Sequence, residues 1–268
     1  MIEVRGVSKT YAATNGQKPV LALDGLDLTI PTHEFVCLLG TSGCGKTTLL
    51  KIIAGLESVD RGEVRVDGKP VVKPGPDRAM VFQHFALLPW ANVTDNVAFG
   101  LELRGVSRPE REHAAQELIS AVGLAGFEGH YPRQLSGGMQ QRVGLARALA
   151  VDPAILLMDE PFGAVDAQTR RLLQEDLLRL LERARKSVLF VTHSMDEAVR
   201  LSDRVALMTP RPGRIREIID VGLPRPRPPD ADKYPRFVEL KEYLWEQLRE
   251  MHVAGPANRR PIGDGAHD

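Results

Sequence analysis

The octapeptide GTSGCGKT at 40–47 constrains the fold more than any other part of the sequence. It fits the spacing of a glycine, four residues, and then Gly-Lys-Ser/Thr. It stands between an apolar run, FVCLLG at 35–40, and a helical pattern, TTLLKIIAG at 47–55. A glycine-rich turn between a strand and a helix lets several backbone N–H groups converge on phosphate oxygens at the positive end of the helix. The motif therefore predicts a phosphate-binding loop in an α/β domain.

The side chains of this loop indicate that its ligand is Mg-ATP. Lys46 can reach the β- and γ-phosphates, and the hydroxyl of Thr47 can ligate Mg²⁺. A glycine-rich turn without a ligand is the alternative, and the Lys-Thr-Thr sequence between these flanks argues against it. The residues expected to contact the nucleotide here are Gly40, Thr41, Ser42, Gly43, Cys44, Gly45, Lys46, Thr47 and Thr48.

An apolar run that ends in two acids, ILLMDE at 155–160, predicts a strand buried on both faces. Its carboxylates then lie at the edge of the sheet near the phosphate loop. We expect Asp159 to hold the Mg²⁺ shell and Glu160 to polarise a water for in-line attack on the γ-phosphate. Two acids that only cap a strand are the alternative, and the phosphate loop upstream disfavours it.

A second anion site is predicted at LSGGMQQR, residues 135–142. A serine and two glycines before a helix offer a hydroxyl, backbone N–H groups and a helix N-terminus. One nucleotide does not need two such sites from one chain. The pattern therefore indicates that two nucleotides are shared between two subunits.

Apolar, β-branched runs alternate with longer helical patterns along the chain, which predicts an α/β fold with a mostly parallel sheet. The stretch of about 84–150 is mainly helical and interrupts this alternation. We expect it to form a helical lobe inserted into the α/β core. The main domain is predicted to span 1–222.

The C-terminal part of the sequence has a different composition. The run PRPRPPD at 224–230 is too proline-rich for packed structure, which predicts a linker over 223–236. A helix is expected from about Phe237 to Met251. The last part of 237–268 is rich in Gly, Pro and charge, and we expect a flexible tail there.

Taken together, LSGGMQQR, the phosphate loop, Gln83 and His193 resemble the nucleotide-binding subunit of ATP-binding cassette (ABC) transporters. The likeness covers about 2–222 with the motifs in the order that the family uses, and four spaced motifs must coincide. It implies a P-loop NTPase core with an N-terminal antiparallel β part. It also implies an ATPase that uses ATP and Mg²⁺.

The resemblance implies roles for three residues around the nucleotide. Tyr11 is similar to the aromatic residue that stacks on adenine, and an ordinary edge aromatic is the alternative. Gln83 is similar to the residue that contacts Mg²⁺ and the attacking water and relays to a membrane partner. His193 resembles the histidine that contacts the γ-phosphate and orients Glu160 and the water. Without the other motifs, a histidine after a strand is usually a polar loop residue.

The resemblance also implies a dimer with a second copy of the chain. Ser136, Gly137 and Gly138 would contact the γ-phosphate that the other subunit binds. GAVD at 163–166 resembles the family's loop of small residues, which would place Asp166 at the dimer interface. The metal ligands implied are Thr47, Gln83 and Asp159.

Charge and hydropathy limit the partners. Lys plus Arg and Asp plus Glu number 35 each, so the basic excess typical of nucleic-acid-binding proteins is missing and nucleic acid is not expected as a partner. No run approaches the roughly 20 apolar residues that span a bilayer. We expect a cytoplasmic chain that docks on another protein at the membrane. The apolar segment at 85–101, with Leu87 and Trp90, is interpreted either as a groove for that partner or as lobe core.

Longer stretches resemble one importer subfamily. FQHFALLPWANVTDNVAFGL and VTHSMDEAVRLSDRVALMTPRPGRI look like the subunits that serve import of nitrate, aliphatic sulfonates and taurine. Only a linker and one helix follow the cassette, which disfavours the ABC subunits for sugars, polyamines or ferric iron. The implied partners are transmembrane permease subunits with a periplasmic or extracellular substrate-binding protein, at the cytoplasmic face of the inner membrane.

Three alternatives remain open at this point. The chain could be an ABC subunit for another substrate, or a non-transport ABC ATPase. The DNA-repair type of the latter needs a long coiled-coil insertion, and the ribosomal type normally carries two cassettes. A module that holds ATP without turnover is disfavoured by Lys46, Glu160 and His193.

Overall fold

The computed structural model describes residues 1–12, 18–83, 85–163 and 165–253. The strands in these ranges are β1 Ile2–Tyr11, β2 Val20–Ile30, β3 Phe35–Leu39, β4 Arg61–Val66, β5 Lys69–Pro70, β6 Arg78–Val81, β7 Ile155–Asp159, β8 Ser187–Thr192, β9 Arg204–Met208 and β10 Ile215–Asp220. The helices are α1 Lys46–Ala54, α2 Val93–Leu103, α3 Arg108–Ala121, α4 Gly137–Ala150, α5 Ala167–Ala184, α6 Met195–Leu201 and α7 Pro235–Val253.

The central sheet has the strand order β10-β9-β3-β8-β7-β6. Its five strands from β9 to β6 run parallel, and β10 pairs with β9 antiparallel at one edge. Every residue of β3, β7 and β8 is buried, as expected of parallel strands covered on both faces. The carboxyl ends of these three strands meet at one edge of the sheet.

A second sheet of four antiparallel strands, in the order β2-β1-β4-β5, confirms the predicted N-terminal β part. It shares a hydrophobic core with α1 and one face of the central sheet. Ile2 and Leu26 from this sheet are packed there with Leu50 of α1 and Leu189 of β8. The phosphate-loop segment between β3 and α1 is thus fixed between two sheets.

Helices α2, α3 and α4 form the predicted helical lobe. They have a hydrophobic cluster of their own, which includes Val97 of α2, Ile119 of α3 and Val143 of α4. The lobe follows β6 and precedes β7 in the chain, so it is inserted between two neighbouring strands of the central sheet. The prediction of an α/β fold with a mostly parallel sheet and an inserted helical lobe is confirmed.

The proline-rich segment differs from its prediction, because it is packed against the core. Arg225 donates a hydrogen bond from Nη2 to the carbonyl oxygen of Leu201 (2.7 Å), and Arg227 donates from Nε to that of Arg200 (3.2 Å). Two arginines therefore hold a run that lacks regular secondary structure.

Helix α7 is likewise part of the main core. Phe237, Leu240 and Leu244 are at most 4% exposed and belong to the same hydrophobic cluster as Phe190 of β8. The predicted flexible tail after 253 lies outside the described residues. In the described ranges no helix has the length and apolar character needed to cross a membrane.

Candidate active site

The phosphate loop has the backbone conformation that only glycine adopts without strain. Gly43 and Gly45 have φ angles of 75° and 107°. A Cβ atom on Gly40 would lie 2.9 Å from Cys44 Sγ and 3.1 Å from the carbonyl oxygen of Met208, so the loop also needs a glycine at that position for space. Helix α1 starts directly after Gly45 with no side-chain hydrogen bond at its N-cap. Its first N–H groups are therefore available to an anion.

Lys46 is buried inside this loop. Its Nζ donates hydrogen bonds to the carbonyl oxygens of Gly40 (2.8 Å) and Thr41 (2.9 Å), and the residue is 5% exposed. A buried ammonium group needs partners of opposite polarity, and the loop carbonyls provide them. Phosphate oxygens would be stronger partners for the same donors.

Thr47 and Asp159 are brought together from α1 and β7. The Thr47 hydroxyl donates to Asp159 Oδ1 at 3.0 Å. Burial raises the pKa of the Asp159 carboxyl and neighbouring Glu160 raises it further, while the Thr47 hydrogen bond acts in the opposite direction. A hydroxyl and a carboxylate side by side are the oxygen ligands that Mg²⁺ takes, so this pair fits a bound Mg²⁺ ion.

Glu160 and His193 form a second pair at the ends of β7 and β8. His193 Nδ1 lies 3.0 Å from Glu160 Oε2. Glu160 has a φ of 43°, and its backbone N–H donates to the carbonyl oxygen of Val191 at 3.0 Å. This left-handed turn directs the carboxylate out of the strand and into the cleft beside the phosphate loop.

Lys46, Thr47 and Glu160 line one cleft of about 270 Å³. Its wall consists of Tyr11, Val20, Ala22, Ser42, Gly43, Gly45, Lys46, Thr47, Thr48, Gln83, Glu160 and Arg211. Asp159 and His193 are not part of this wall but contact Thr47 and Glu160, which are. The Tyr11 hydroxyl lies 3.3 Å from Thr48 Oγ1, which places the ring next to the first turn of α1. The structure thus brings the predicted aromatic residue, the phosphate loop, the glutamine and the proposed base together around one space.

The second predicted anion site is not part of this cleft. Ser136 is the exposed N-cap of α4, where its hydroxyl accepts from the backbone N–H of Met139 at 3.3 Å. Gly138 lies against α5, since a Cβ there would be 2.9 Å from Thr169 Cγ2. Ser136, Gly137 and Gly138 are not among the described residues that line the cleft.

Asp166 has a structural role inside its own chain. It is the N-cap of α5 and accepts hydrogen bonds from the backbone N–H groups of Gln168 (3.2 Å) and Thr169 (3.0 Å). The Thr169 hydrogen bond is the main reason that the pKa of the Asp166 carboxyl is lowered. An aspartate before a helical run is a typical N-cap signal in a sequence.

Arg211 was missed at the sequence level, although it lines the cleft. Its Nε and Nη2 donate to the carbonyl oxygen of Gly43 at 3.1 and 2.9 Å. The residue belongs to the loop between β9 and β10, and its signal was the turn-forming run PRPGR after a buried strand.

A buried polar network behind His193 was also missed. Glu197 on α6 accepts from the Thr192 hydroxyl at 2.5 Å and from Gln174 Nε2 of α5 at 3.2 Å. Burial raises the pKa of the Glu197 carboxyl. The network fixes the end of β8 at the residue before His193. A glutamate in a short helical pattern carries no signal of such burial in the sequence.

The segment after Gln83 is part core and part surface. Val93 and Val97 are buried in the lobe, while Trp90 is 76% exposed. Asn96 is fully buried and holds the preceding loop, because its Oδ1 accepts from Leu88 N–H (2.8 Å) and its Nδ2 donates to the carbonyl of Ala91 (3.0 Å).

Arg147 of α4 connects this segment to the helix that follows Ser136. Its Nη1 and Nη2 donate to the carbonyl oxygens of Ala86 (2.7 Å) and Phe85 (3.0 Å). Arg147 therefore links the segment after Gln83 to α4, the helix that begins at the predicted second anion site.

Comparison with known proteins gives consistent matches. Residues 23–163 match the protein family described as ABC transporter. An uncharacterized ABC transporter ATP-binding protein of Methanocaldococcus jannaschii is 55% identical, covering 93% of this chain and 91% of that protein. The taurine import ATP-binding protein TauB of Rhizobium johnstonii is 48% identical over 91% of this chain and 95% of its own length. The nitrate import ATP-binding protein NrtD of Synechocystis sp. is 46% identical over 83% of each chain.

A solved structure agrees with this assignment. It is the dimeric, post-hydrolysis state of an ATP-binding cassette bound to ADP and phosphate, with a TM-score of 0.74 and 34% identity over 82% of this chain and 99% of that one. The match confirms the P-loop NTPase core that the motifs predict. The chain therefore belongs to the ABC transporter family, as one of its ATP-binding and ATP-hydrolysing proteins.

Proposed function

We propose that the chain is the ATPase subunit of an ABC importer. Closure of two copies on ATP would drive uptake of a small anion such as nitrate, an aliphatic sulfonate or taurine. The observation that carries the proposal of closure by two copies is that the two predicted phosphate-binding segments lie apart in one chain. The phosphate loop, Glu160 and Gln83 share one cleft, whereas Ser136 at the start of α4 lies outside it.

Hydrolysis is assigned to the pair at the ends of β7 and β8. Glu160 would take a proton at its carboxylate from the water that attacks the γ-phosphate, and His193, 3.0 Å away, would orient that carboxylate. Thr47, Asp159 and Gln83 would hold Mg²⁺, which supplies charge neutralisation at the β- and γ-phosphates when bound. The donors for the phosphates would be Lys46 and the N–H groups of its loop. Tyr11 would stack on the base.

The proposed second half of each site comes from a second copy. Ser136, Gly137 and Gly138 of one subunit would meet the γ-phosphate held by the other, with Asp166 at the interface. An exposed serine at a helix N-terminus, outside the cleft of its own chain, is the arrangement that a composite site requires. The solved cassette that this chain resembles is dimeric.

Mixing two inactive variants tests the composite site. Ser136→Arg keeps its own phosphate loop, and Lys46→Ala keeps its own serine motif. A mixed dimer would therefore contain one intact site, and ATPase activity should rise above that of either variant alone. Each variant alone, at the total protein concentration of the mixture, controls for concentration. No recovery in mixtures shown to form mixed dimers would contradict the shared site.

The proposed membrane partner is a permease that receives the segment after Gln83. Trp90 is exposed there, and an exposed tryptophan beside a proline suits contact with a partner helix. The chain would then lie at the cytoplasmic face of the inner membrane, in a complex with a periplasmic or extracellular substrate-binding protein.

We propose that residues 1–222, with the lobe of about 84–150, form the ATPase domain, and that 223–236 and 237–268 extend it.

The transported anion is proposed from the relatives named for taurine and nitrate import. Uptake of labelled nitrate, taurine and an alkanesulfonate by cells that lack the gene tests it. We expect one of the three uptakes to be restored by the wild-type gene and not by Glu160→Gln. If all three are unaffected by the deletion, the chain serves another substrate or a process other than transport.

A further inference from the structure

We propose that Arg211 is a positioning residue of the phosphate loop, and that it sets the affinity for nucleotide phosphates without contacting the reacting atoms. The inference rests on the nucleotide binding assigned above. It concerns a residue outside every motif from which the site was predicted. Its basis is a pair of hydrogen bonds that a single side chain makes to one peptide group of the loop.

The peptide in question joins Gly43 to Cys44. The Gly43 carbonyl oxygen accepts from both Nε and Nη2 of Arg211, at 3.1 and 2.9 Å. In a trans peptide the C=O and N–H groups point in opposite directions. Because Arg211 fixes the carbonyl on one side, it also fixes the Cys44 N–H on the other. The acceptor of that N–H is the Thr41 carbonyl oxygen of the same loop, at 3.4 Å.

A hydrogen bond of 3.4 Å is at the long end of the range, so this donor is weakly engaged. A phosphate oxygen in the loop would be a better acceptor for it. The group that Arg211 orients is thus one of the donors on which phosphate binding depends.

The loop needs an external support at this position. Gly43 has a φ of 75°, and glycine occupies this and the opposite region of φ with similar ease. Because Gly43 has no side chain to restrict its backbone, the peptide would be less firmly held in one orientation without Arg211. Nucleotide binding would then have to order this peptide, which would reduce the affinity. With Arg211 in place, the peptide is already held in one orientation before the nucleotide binds.

Arg211 is itself held by a short, well-connected loop. The Thr209 hydroxyl donates to the carbonyl of Pro212 (3.2 Å), and the Arg214 backbone N–H donates to that hydroxyl (3.0 Å). Gly213 N–H donates to the carbonyl of Ala22 on β2 (2.8 Å), and Ala22 lines the same cleft. The loop that carries Arg211 is therefore held by its own hydrogen bonds and by β2 of the antiparallel sheet.

The test compares Arg211→Ala, Arg211→Lys and the control Arg216→Ala. Arg216 lies on β10 and pairs with Glu250 at 2.9 Å, so its removal changes the net charge equally but outside the cleft. For Arg211→Ala we expect the Kd for a fluorescent ADP analogue and the KM for Mg-ATP to rise about tenfold, with kcat within about twofold of wild type. Arg211→Lys should recover part of the affinity, since an ammonium can donate to the same carbonyl.

A second readout needs no nucleotide. Hydrogen exchange in the peptide that covers 40–47 should be faster in Arg211→Ala than in wild type and in Arg216→Ala. An unchanged Kd in Arg211→Ala, a loss confined to kcat, or an equal loss in Arg216→Ala would each overturn the proposal. If the wild-type protein bound no ADP, the assigned nucleotide site would fail instead.

Discussion

At the scale of single residues, the carboxylate of Glu160 has a position suited to proton transfer. It follows β7 in a left-handed turn, and His193 Nδ1 lies 3.0 Å from it. For Glu160→Gln we expect ATP hydrolysis to fall by a factor of about 10² to 10⁴, because general-base catalysis contributes that much. ATP binding should persist, since the loop is untouched. Steady-state turnover and equilibrium ATP binding measure the two effects.

The matched control for that change is Glu239→Gln, an exposed acid on α7. Its turnover should equal that of wild type. Wild-type turnover in Glu160→Gln would show that another group accepts the proton.

The buried Glu197 predicts a dependence of stability on pH. Burial raises the pKa of its carboxyl above the ordinary 4.5, against the lowering effects of the Thr192 hydrogen bond, Arg170 and His193. The folded state therefore favours the neutral carboxyl. This contribution to wild-type stability is present below pH 4.5 and is lost as the pH rises through the raised pKa.

The variant Glu197→Gln stays neutral at every pH. Its amide oxygen can still accept from the Thr192 hydroxyl, and its amide nitrogen can donate to the Gln174 side-chain oxygen if the Gln174 amide is reversed. The free energy of unfolding of the variant should therefore rise relative to wild type as the pH increases from about 4.5 into the neutral range. Urea denaturation at a series of pH values measures the difference. A difference that is constant with pH, or that falls, would contradict the burial effect.

The residues that could be predicted from the sequence are those whose chemistry depends on local spacing. Lys46 and Thr47 follow from eight consecutive residues, and Asp159 from the end of a buried run. Arg211 and Glu197 could not be predicted in this way. Their partners lie 168 and 23 residues away along the chain, and only the folded structure brings them together.

At the scale of elements, α7 belongs to the core of the ATPase and is not an appendage. Leu244 has no exposed surface, whereas Trp245 beside it is 57% exposed. Leu244→Ala should lower the free energy of unfolding by about 2–5 kcal/mol through the lost transfer energy and the cavity. The control Trp245→Ala should cost less than about 1 kcal/mol. Chemical denaturation of both variants measures the effect, and equal losses would contradict the packing.

The proline-rich segment before α7 shows where composition misleads. Proline disfavours regular secondary structure, and 223–230 has none, as predicted. The predicted linker of 223–236 extends too far, because a 3-10 turn forms at Ala231–Lys233 and α7 begins at Pro235. Packing is a separate property, and here arginine side chains supply it by donating to carbonyls at the end of α6. The short α6 and the edge strand β10 were also missed, because neither has the continuous apolar run that marks the five-residue strands β3 and β7.

At the scale of the whole molecule, the sequence motifs predicted the layers correctly because each layer has its own pattern. Buried runs indicated the parallel sheet, and a long helical stretch indicated the lobe. The connection between the two layers is less visible in the sequence. Arg147 joins the helix after Ser136 to the segment after Gln83, so the lobe and the proposed permease contact form one unit.

The most direct test of the composite site is the mass of the Glu160→Gln protein in solution, measured by sedimentation with ATP and with ADP. Slow hydrolysis should trap the closed state, so ATP should give a particle of two chains and ADP should not. Adding Ser136→Arg to the same protein should abolish the ATP-dependent dimer while leaving ATP binding to the loop. A single mass in ATP and ADP, with ATP shown to be bound, would contradict the proposal that two copies close around the nucleotide.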